Sequence, residues 1–498
     1  MHSKSILATR AFLILLPIMA TGAAASETIQ KSGATPHLIA DADAVPLSKD
    51  DLFGTSEQGA PSPASERQDA PAPTSKQSLF GEETQSPALK AEPALPINGF
   101  IETALAYNYS NPKHWSDALF RLQLGTNGHL DNDVKWKLSG RAEYNAAYDL
   151  SNYYSDTTRY QQRSRFQFED AYLDFSTGKL DWRVGRQQIV WGEMVGLFFA
   201  DVVSAKDLRE FILPDFNILR IPQWAARAEY FKDDFHAEMI WIPIPSYDQI
   251  GTPFDPTKPG SGSDFYPYPF SPAGIPIVMG ESKPSDSLAH SNLGIRLNQL
   301  TNGWDYSGFV YAGMDSQPTF YRDSVDQQIF YPRHDRIRQE GGTIAKDMGS
   351  FVLKAETVYT NGRKFNVTDL TTIDGLIEQN TLDWVVGLDF NPTLDTRLNT
   401  QLFQRIFTNH ASNTLFEKYE DGMSILVNHK FAHNWEAEAM IIHSLNRNDW
   451  MLRPKVSWRF KPDWRLSAGV DLFHGPPTGL FGEYDSQDRV YTEVKCDF

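Results

Sequence analysis

From Ile97 to Phe498 the chain alternates apolar and polar residues with a period of two. That is the period of a β-strand, whose successive side chains point to opposite faces. Val134, Trp136, Leu138, Ala142 and Tyr144 share one face, while Lys135, Lys137, Ser139, Arg141, Glu143 and Asn145 share the other. The pattern predicts strands near 97–109, 117–130, 133–148, 165–176, 180–188, 223–231, 234–242, 291–299, 303–313, 334–345, 349–360, 381–391, 395–407, 421–432, 434–443, 450–460, 463–473 and 489–498. The weakest of these are 165–176 and 334–345. Most run about 9–13 residues, the length a tilted strand needs to cross a membrane. Strands of soluble proteins usually stop at about 5–6 residues.

The connections have a rhythm of their own. Short turns sit at Asp131-Asn132-Asp133, Thr177-Gly178-Lys179, Lys232-Asp233-Asp234, Asn391-Pro392-Thr393, Ala432-His433-Asn434 and Lys461-Pro462-Asp463. Between them lie mostly longer segments, at 149–164, 189–222, 243–290, 314–333, 361–380, 408–420 and 474–488. Short turns on one side and long loops on the other characterise barrels of the outer membrane, with both chain ends in the periplasm. The fold class expected is all-β: a transmembrane, antiparallel, up-and-down β-barrel of about 18 strands, with about 16–20 as the range.

The last strand adds a signal. Val490, Thr492, Val494, Cys496 and Phe498 face one way, and Tyr491, Glu493, Lys495 and Asp497 the other. An alternating final strand that ends in Phe resembles the signal read by the outer-membrane barrel-assembly machinery, with Val494, Cys496 and Phe498 as its carriers. Aromatic residues also cluster near predicted strand ends, among them Tyr107, Tyr148, Trp224, Tyr359, Phe390, Trp435, Trp458 and Trp464. These predict two interfacial girdles in contact with lipid and lipopolysaccharide.

The first 96 residues read differently. Residues 1–25 combine a short basic stretch (His2, Lys4, Arg10), an apolar run and Ala23-Ala24-Ala25, the pattern of a secretory signal peptide. Residues 26–96 are rich in Pro, Ala, Ser, Gln and Glu and poor in aromatics. Such a segment cannot bury enough apolar surface to offset its ordering entropy, so a disordered periplasmic tail is expected. Within it Leu52-Phe53-Gly54 recurs as Leu79-Phe80-Gly81. This repeat is a candidate docking motif for a periplasmic partner, or for the barrel mouth itself.

Composition narrows the function classes. Aromatic residues make up 13% of the 498, yet mean hydropathy is −0.42 and no run after the first 25 residues is long and apolar enough for a transmembrane helix. A formal charge of −17 argues against a nucleic-acid partner. The single Cys496 excludes an intramolecular disulfide and a thiolate metal cluster. There is no G-x-S-x-G, H-E-x-x-H, phosphate-binding loop, dinucleotide fingerprint or haem-attachment motif. The chain is therefore expected to be neither an enzyme nor a holder of a cofactor or metal.

A resemblance can be stated on two stretches. Gly185-Arg186-Gln187-Gln188-Ile189-Val190-Trp191-Gly192-Glu193 and Asp201-Val202-Val203-Ser204-Ala205-Lys206-Asp207-Leu208-Arg209-Glu210 resemble a large family of proteobacterial outer-membrane proteins, long catalogued as a domain of unknown function. That family is distantly similar to the alginate-export porins. The resemblance covers residues 97–498 and implies a barrel and a channel, without naming a substrate.

A barrel of this size has a lumen too wide for side chains alone to fill. On the strands that meet at closure, Arg121, Lys135, Lys137, Arg141, Arg453, Lys455, Arg459, Arg465 and Lys495 take the inward phase and form a basic wall. Glu102, Glu143, Glu436, Glu438 and Glu493 punctuate it. A basic ladder attracts and guides anions, although in a wet lumen the same charges can simply pair with the acids. Residues 189–222 are expected to fold inward and narrow the lumen, with Arg186, Asp201, Asp207, Arg209 and Glu210 near the constriction. Ser204 to Phe211 has helix-compatible composition, stopped by Pro214. The largest loop, 243–290, carries Phe265-Tyr266-Pro267-Tyr268-Pro269-Phe270, rings that suit either a lid or stacking on sugars. Three functions stay open: a channel for anionic or amphiphilic solutes, an exopolysaccharide export conduit working with a periplasmic partner, and a sleeve around an electron-transfer cytochrome.

Overall fold

A computed structural model describes residues 96–498, apart from 131–133, 195, 197–198 and 433. The signal peptide, the rest of the tail with its Leu52-Phe53-Gly54 and Leu79-Phe80-Gly81 motifs, and the turns at 131–133 and 433 lie outside the described residues.

Eighteen antiparallel strands form one closed sheet. They are β1 (Ile97–Asn108), β2 (His114–His129), β3 (Lys135–Asn145), β4 (Ser164–Thr177), β5 (Leu180–Gln187), β6 (Gln223–Lys232), β7 (Phe235–Ile244), β8 (Asn292–Thr301) and β9 (Trp304–Met314). Then follow β10 (Arg336–Asp347), β11 (Phe351–Asn361), β12 (Thr381–Thr393), β13 (Thr396–Phe407), β14 (Tyr419–Ala432), β15 (Trp435–Ser444), β16 (Trp450–Lys461), β17 (Trp464–His474) and β18 (Arg489–Asp497). Every predicted segment becomes a strand, including the two weak ones, with small shifts at the ends. Each strand pairs with the next, and β18 closes on β1 from Phe100 opposite Asp497 to Asn108 opposite Arg489. The terminus completes the seam: Phe498 N–H donates to Gly99 O at 2.9 Å, and Gly99 N–H donates back to Phe498 O at 2.8 Å. Closure matters because no water in a bilayer core can satisfy an open sheet edge.

The alternation has one physical meaning around the ring. Leu105, Phe120, Leu138, Phe166, Ile295, Leu402 and Val456 lie exposed on the outside. Arg121, Arg141, Glu169, Arg296 and Gln401 are buried on the inside. Aromatic pairs edge this outer band. Trp435 stacks on Trp458 at 5.3 Å, and Phe460 packs beside Trp464 at 6.0 Å, next to the short turns. At the other end Tyr107 meets Trp115 edge-on at 5.2 Å. An apolar belt with aromatic borders around a polar interior is the surface of a bacterial membrane barrel, and it places the protein in the outer membrane.

The long loops pack over one mouth. Ile277–Val278, Thr319–Arg322 and Ile329–Arg333 form a small three-stranded sheet that joins two of them. Here the aromatic segment of the largest loop departs from a free stacking surface. Phe265 is 2% exposed and Tyr266 is 3% exposed. Phe265 packs with Phe211, Phe473 and Tyr484, and Tyr266 packs with Ile250, Val278 and Phe330. Their apolar area is already spent on folding the loops.

Candidate functional site

A glycine stands near the end of β5. Gly185 has φ +132°, and a Cβ there would stand 2.2 Å from Ala171 O. Gln187 follows, fully buried, donating to the carbonyls of Arg183, Gly185 and Ala225. Ile189 and Trp191 then enter a buried cluster with Ile240 and Ile242 of β7, Phe309 and Tyr311 of β9 and Val358 of β11. Trp191 lies over Gly294 of β8, where a Cβ would come within 2.7 Å of the ring. Its indole N–H donates to Glu238 at 3.2 Å. Glu356 of β11 accepts the backbone N–H groups of Glu193, of Met194 at 3.0 Å and of Ala200 at 2.9 Å. A carboxylate thus satisfies three donors that an irregular segment would otherwise leave unpaired.

The segment then reaches strands on the far side. Asp207 pairs with Arg165 of β4 and, at 2.7 Å, with Arg209. Arg209 binds Glu143 of β3 at 3.0 Å, and Glu210 lies 3.7 Å from Arg489 of β18. Arg141 of β3 donates to Ile218 O at 3.2 Å, and Arg453 of β16 donates to Ile212 O at 3.3 Å and Leu213 O at 2.7 Å. Phe211, Ile212 and Leu213 pack on Ile442, Met451 and Phe473 of β15 to β17. Arg220 returns to Asp201 at 2.8 Å.

The helix expected over 204–211 is absent. Ala205–Lys206 pairs with Arg220–Ile221 as a two-residue ladder, and Lys206 N–H donates to Asp248 at 2.7 Å. The backbone donors of this stretch are taken by non-helical partners. The one helical turn is Phe216–Leu219, beyond Pro214. Arg186 also stands apart from the predicted constriction. In register it faces Ala171 and Trp224, and its Nε donates to Phe168 O at 2.6 Å. Asp201, Asp207, Arg209 and Glu210 lie in the segment 189–222, with Asp207, Arg209 and Glu210 meeting one cluster of wall charges.

That cluster is built on Glu143. It accepts Arg121 at 2.8 Å, Arg141 at 3.1 Å and Arg209 at 3.0 Å. Arg121 also pairs with Glu102, and Arg141 with Glu169 at 3.3 Å. Arg489, which the basic-wall reading omits, binds Asp117 at 2.8 Å and Asp471 at 2.9 Å. Its inward phase with Tyr491 and Glu493 was available in the sequence; its partners come from distant strands and were not. Five more members of the predicted wall are paired: Lys137 with Asp170 at 3.1 Å, Arg453 with Asp471 at 2.9 Å, Lys455 with Glu438 at 3.0 Å, Arg465 with Glu493 at 3.9 Å and Lys495 with Asp497 at 3.6 Å. Lys135 and Arg459 have no acidic partner among the described residues. Val494, Cys496 and Phe498 share the outward phase with exposed Val490.

The loop carboxyls feel this field. Burial raises the Glu210 carboxyl to about 8, helped by Asp117 and opposed by Arg489, Arg121 and Arg209. Asp207 falls below the usual range: burial opposes the shift, and Arg209 and Arg165 outweigh it. Asp215 is also lowered, against burial, by Lys455, Arg465, Lys495 and Arg453. Among the described residues, no group of three or more His, Cys, Asp and Glu is arranged to hold a metal ion.

Several solved structures are similar to this chain. OccAB1 of Acinetobacter baumannii is 9% identical, with 84% of this chain and 99% of that one covered, at a TM-score of 0.49. OccK2 (OpdF) of Pseudomonas aeruginosa, solved with glucuronate, is 8% identical over 81% and 98% of the two chains, at a TM-score of 0.45. OmpF of Salmonella typhi, solved with daunomycin, is 10% identical over 81% and 97%, at a TM-score of 0.41. No curated protein matches the chain. Residues 108–498, from the last position of β1 to the C-terminal Phe, match the family model described as "Protein of unknown function (DUF1302)", and the chain belongs to that family.

Proposed function

We propose that this protein is an outer-membrane channel for small anionic or amphiphilic solutes, narrowed by the segment 189–222. The observation that carries the reading is the segment's attachment to both sides of the ring. It is bonded to Glu356 on β11 and to Arg141 and Glu143 on β3, strands eight positions apart in an eighteen-strand barrel (11 − 3 = 8). A solute must pass beside it, through the charges that fix it. The basic wall supports the anionic part, because four of its cations hold the Asp215 carboxyl in its charged form. Lys135 and Arg459 add positive charge at the short-turn end. A sleeve around a cytochrome needs a lumen free for a folded domain, and a crossing segment weighs against it. The outward Val494, Cys496 and Phe498 serve barrel assembly in this reading, and residues 1–25 and 26–96 serve export and periplasmic contact.

Planar-bilayer recording of the purified protein tests the proposal. Deleting 199–219 is expected to raise single-channel conductance severalfold; unchanged conductance overturns the constriction role. A reversal potential of cationic sign in a salt gradient overturns the anionic preference.

A further inference from the structure

A second feature of the lumen is a cavity of about 150 Å³ on the side of the crossing segment away from the arginine cluster. Phe199, Val202 and Val203 of the segment supply one face, and Tyr311, Ile337 and Val358 of the barrel wall supply another. Polar groups occupy its rim. Arg405 on β13 forks onto Asp383, its cross-strand neighbour on β12, through Nε at 2.6 Å and Nη2 at 3.1 Å. Arg363, just past β11, forks onto Asp315, just past β9, through Nε at 2.7 Å and Nη2 at 3.0 Å. Each fork uses one edge of a guanidinium and leaves Nη1 for another acceptor. Neither guanidinium is sealed: their side chains are 13% and 37% exposed for Arg363 and Arg405.

We infer that this cavity is a binding subsite for a monocyclic carboxylate, with the ring on the Val202, Val203 and Val358 side and the carboxylate on Nη1 of Arg363 and Arg405. The inference deepens the proposed channel reading and rests on it for physiological meaning. Volume sets the size class, since roughly 150 Å³ is the space taken by one benzene-sized ring. The lining sets the polarity. Asp315 and Asp383 are engaged by the two arginines, and one oxygen of Asp201 by Arg220. Lys206 donates its Nζ to the carbonyls of Asp201 and Ser204. Beside the amides of Gln223, Asn292, Gln317 and Gln339, the lining offers guanidinium N–H, which selects an acceptor and gains from its charge. A cationic ring would meet those donors with like charge.

Benzoate, benzyl alcohol and benzylammonium are the probes, with binding measured by calorimetry on the full-length protein in detergent. Saturable benzoate binding, tighter than that of the other two, is expected. Arg405→Gln and Ile337→Phe should each weaken it by about tenfold or more, the first by removing a charged donor and the second by filling the cavity. Ile337→Phe leaves every ion pair in place, so it keeps the test decisive where Arg405→Gln disturbs the barrel; heat-modifiable gel migration reads folding in both. No saturable benzoate binding by the folded wild type, equal affinity for benzylammonium, or binding unchanged by Ile337→Phe overturns the subsite. Conductance of the same preparations separates the two claims. A conducting barrel that ignores benzoate loses only the subsite, and a barrel that binds benzoate without conducting loses the channel.

Discussion

The two halves of the segment 189–222, which we propose crosses the lumen, are held by different physics. In the first half Ile189, Trp191, Ala200 and Val203 dock through apolar burial, with Trp191 and Ala200 fully buried against β7, β9 and β11 and one carboxylate tying down the backbone. Residues 205–213 add charge to an apolar contact: Phe211, Ile212 and Leu213 pack on β15 to β17, while Asp207, Arg209 and Glu210 each meet an ionised wall group and Arg453 holds two carbonyls. Apolar docking is indifferent to pH and nearly so to salt, whereas charged docking responds to pH when a carboxyl titrates. The first half is thus a fixed anchor, and the second is the half that can let go.

The largest expected effect breaks the anchor. Trp191→Ala removes a fully buried indole, leaves a void above Gly294 and orphans Glu238 of a donor. Losses for Trp→Ala in a packed core run about 3–5 kcal/mol. Hydrogen exchange followed by mass spectrometry should show residues 189–203 losing protection while the outer β-ladder keeps its own. If protection falls equally in both halves, they form one cooperative unit and the contrast between them fails.

How much of this was legible beforehand follows from what sequence encodes locally. Strand parity is a local property, so Arg121, Arg141, Lys455 and Lys495 could be placed on one face from their neighbours alone. Partner choice is not local. Arg489 reaches Asp117 across 372 positions of sequence, and Arg453 reaches Leu213 across 240. Nothing short of the closed ring brings those together. The helix expected at 204–211 misled for a related reason: composition reports intrinsic preference, and the tertiary partners of Lys206 and Asp207 overrode it. Sequence leaves open whether Phe265 and Tyr266 build a lid or stack on sugars, because a proline-rich loop gives no periodicity from which to read burial.

The next prediction sharpens the comparison through pH. Glu210 holds its proton to about pH 8 when docked, whereas an undocked glutamate releases it near its ordinary value. A carboxyl raised in this way supports docking at low pH, and that support is lost as pH rises through about 8. Beside Glu210 stand Asp117, Glu143, Asp264, Arg209, Arg489 and Tyr148 in the same small cavity, with Arg121 also acting on it. Asp207 has the opposite sign, because its lowered pKa supports docking that is lost only as pH falls into the acid range. Between pH 6 and pH 9, therefore, 205–213 should exchange faster and conductance should rise, while 189–203 stays constant. Glu210→Gln, which remains neutral, should flatten that response. A response that survives the substitution would assign the pH sensitivity to another group.

The smallest expected effect concerns charges that neither half uses. Lys135 and Arg459 sit near the short turns, exposed and without an acidic partner among the described residues. Replacing either by Ala breaks no ion pair among the described residues, so stability should change by less than about 0.5 kcal/mol in urea unfolding from vesicles. Exchange should stay constant in both halves of the crossing segment. Selectivity is different, because an uncompensated charge at a pore mouth acts on passing ions through space, with a range of about one Debye length. The double variant should move the reversal potential toward cations at low salt, and the shift should vanish at high salt. If the shift persists at high salt, the charges act at close range inside the pore, and the entrance field is not what favours anions.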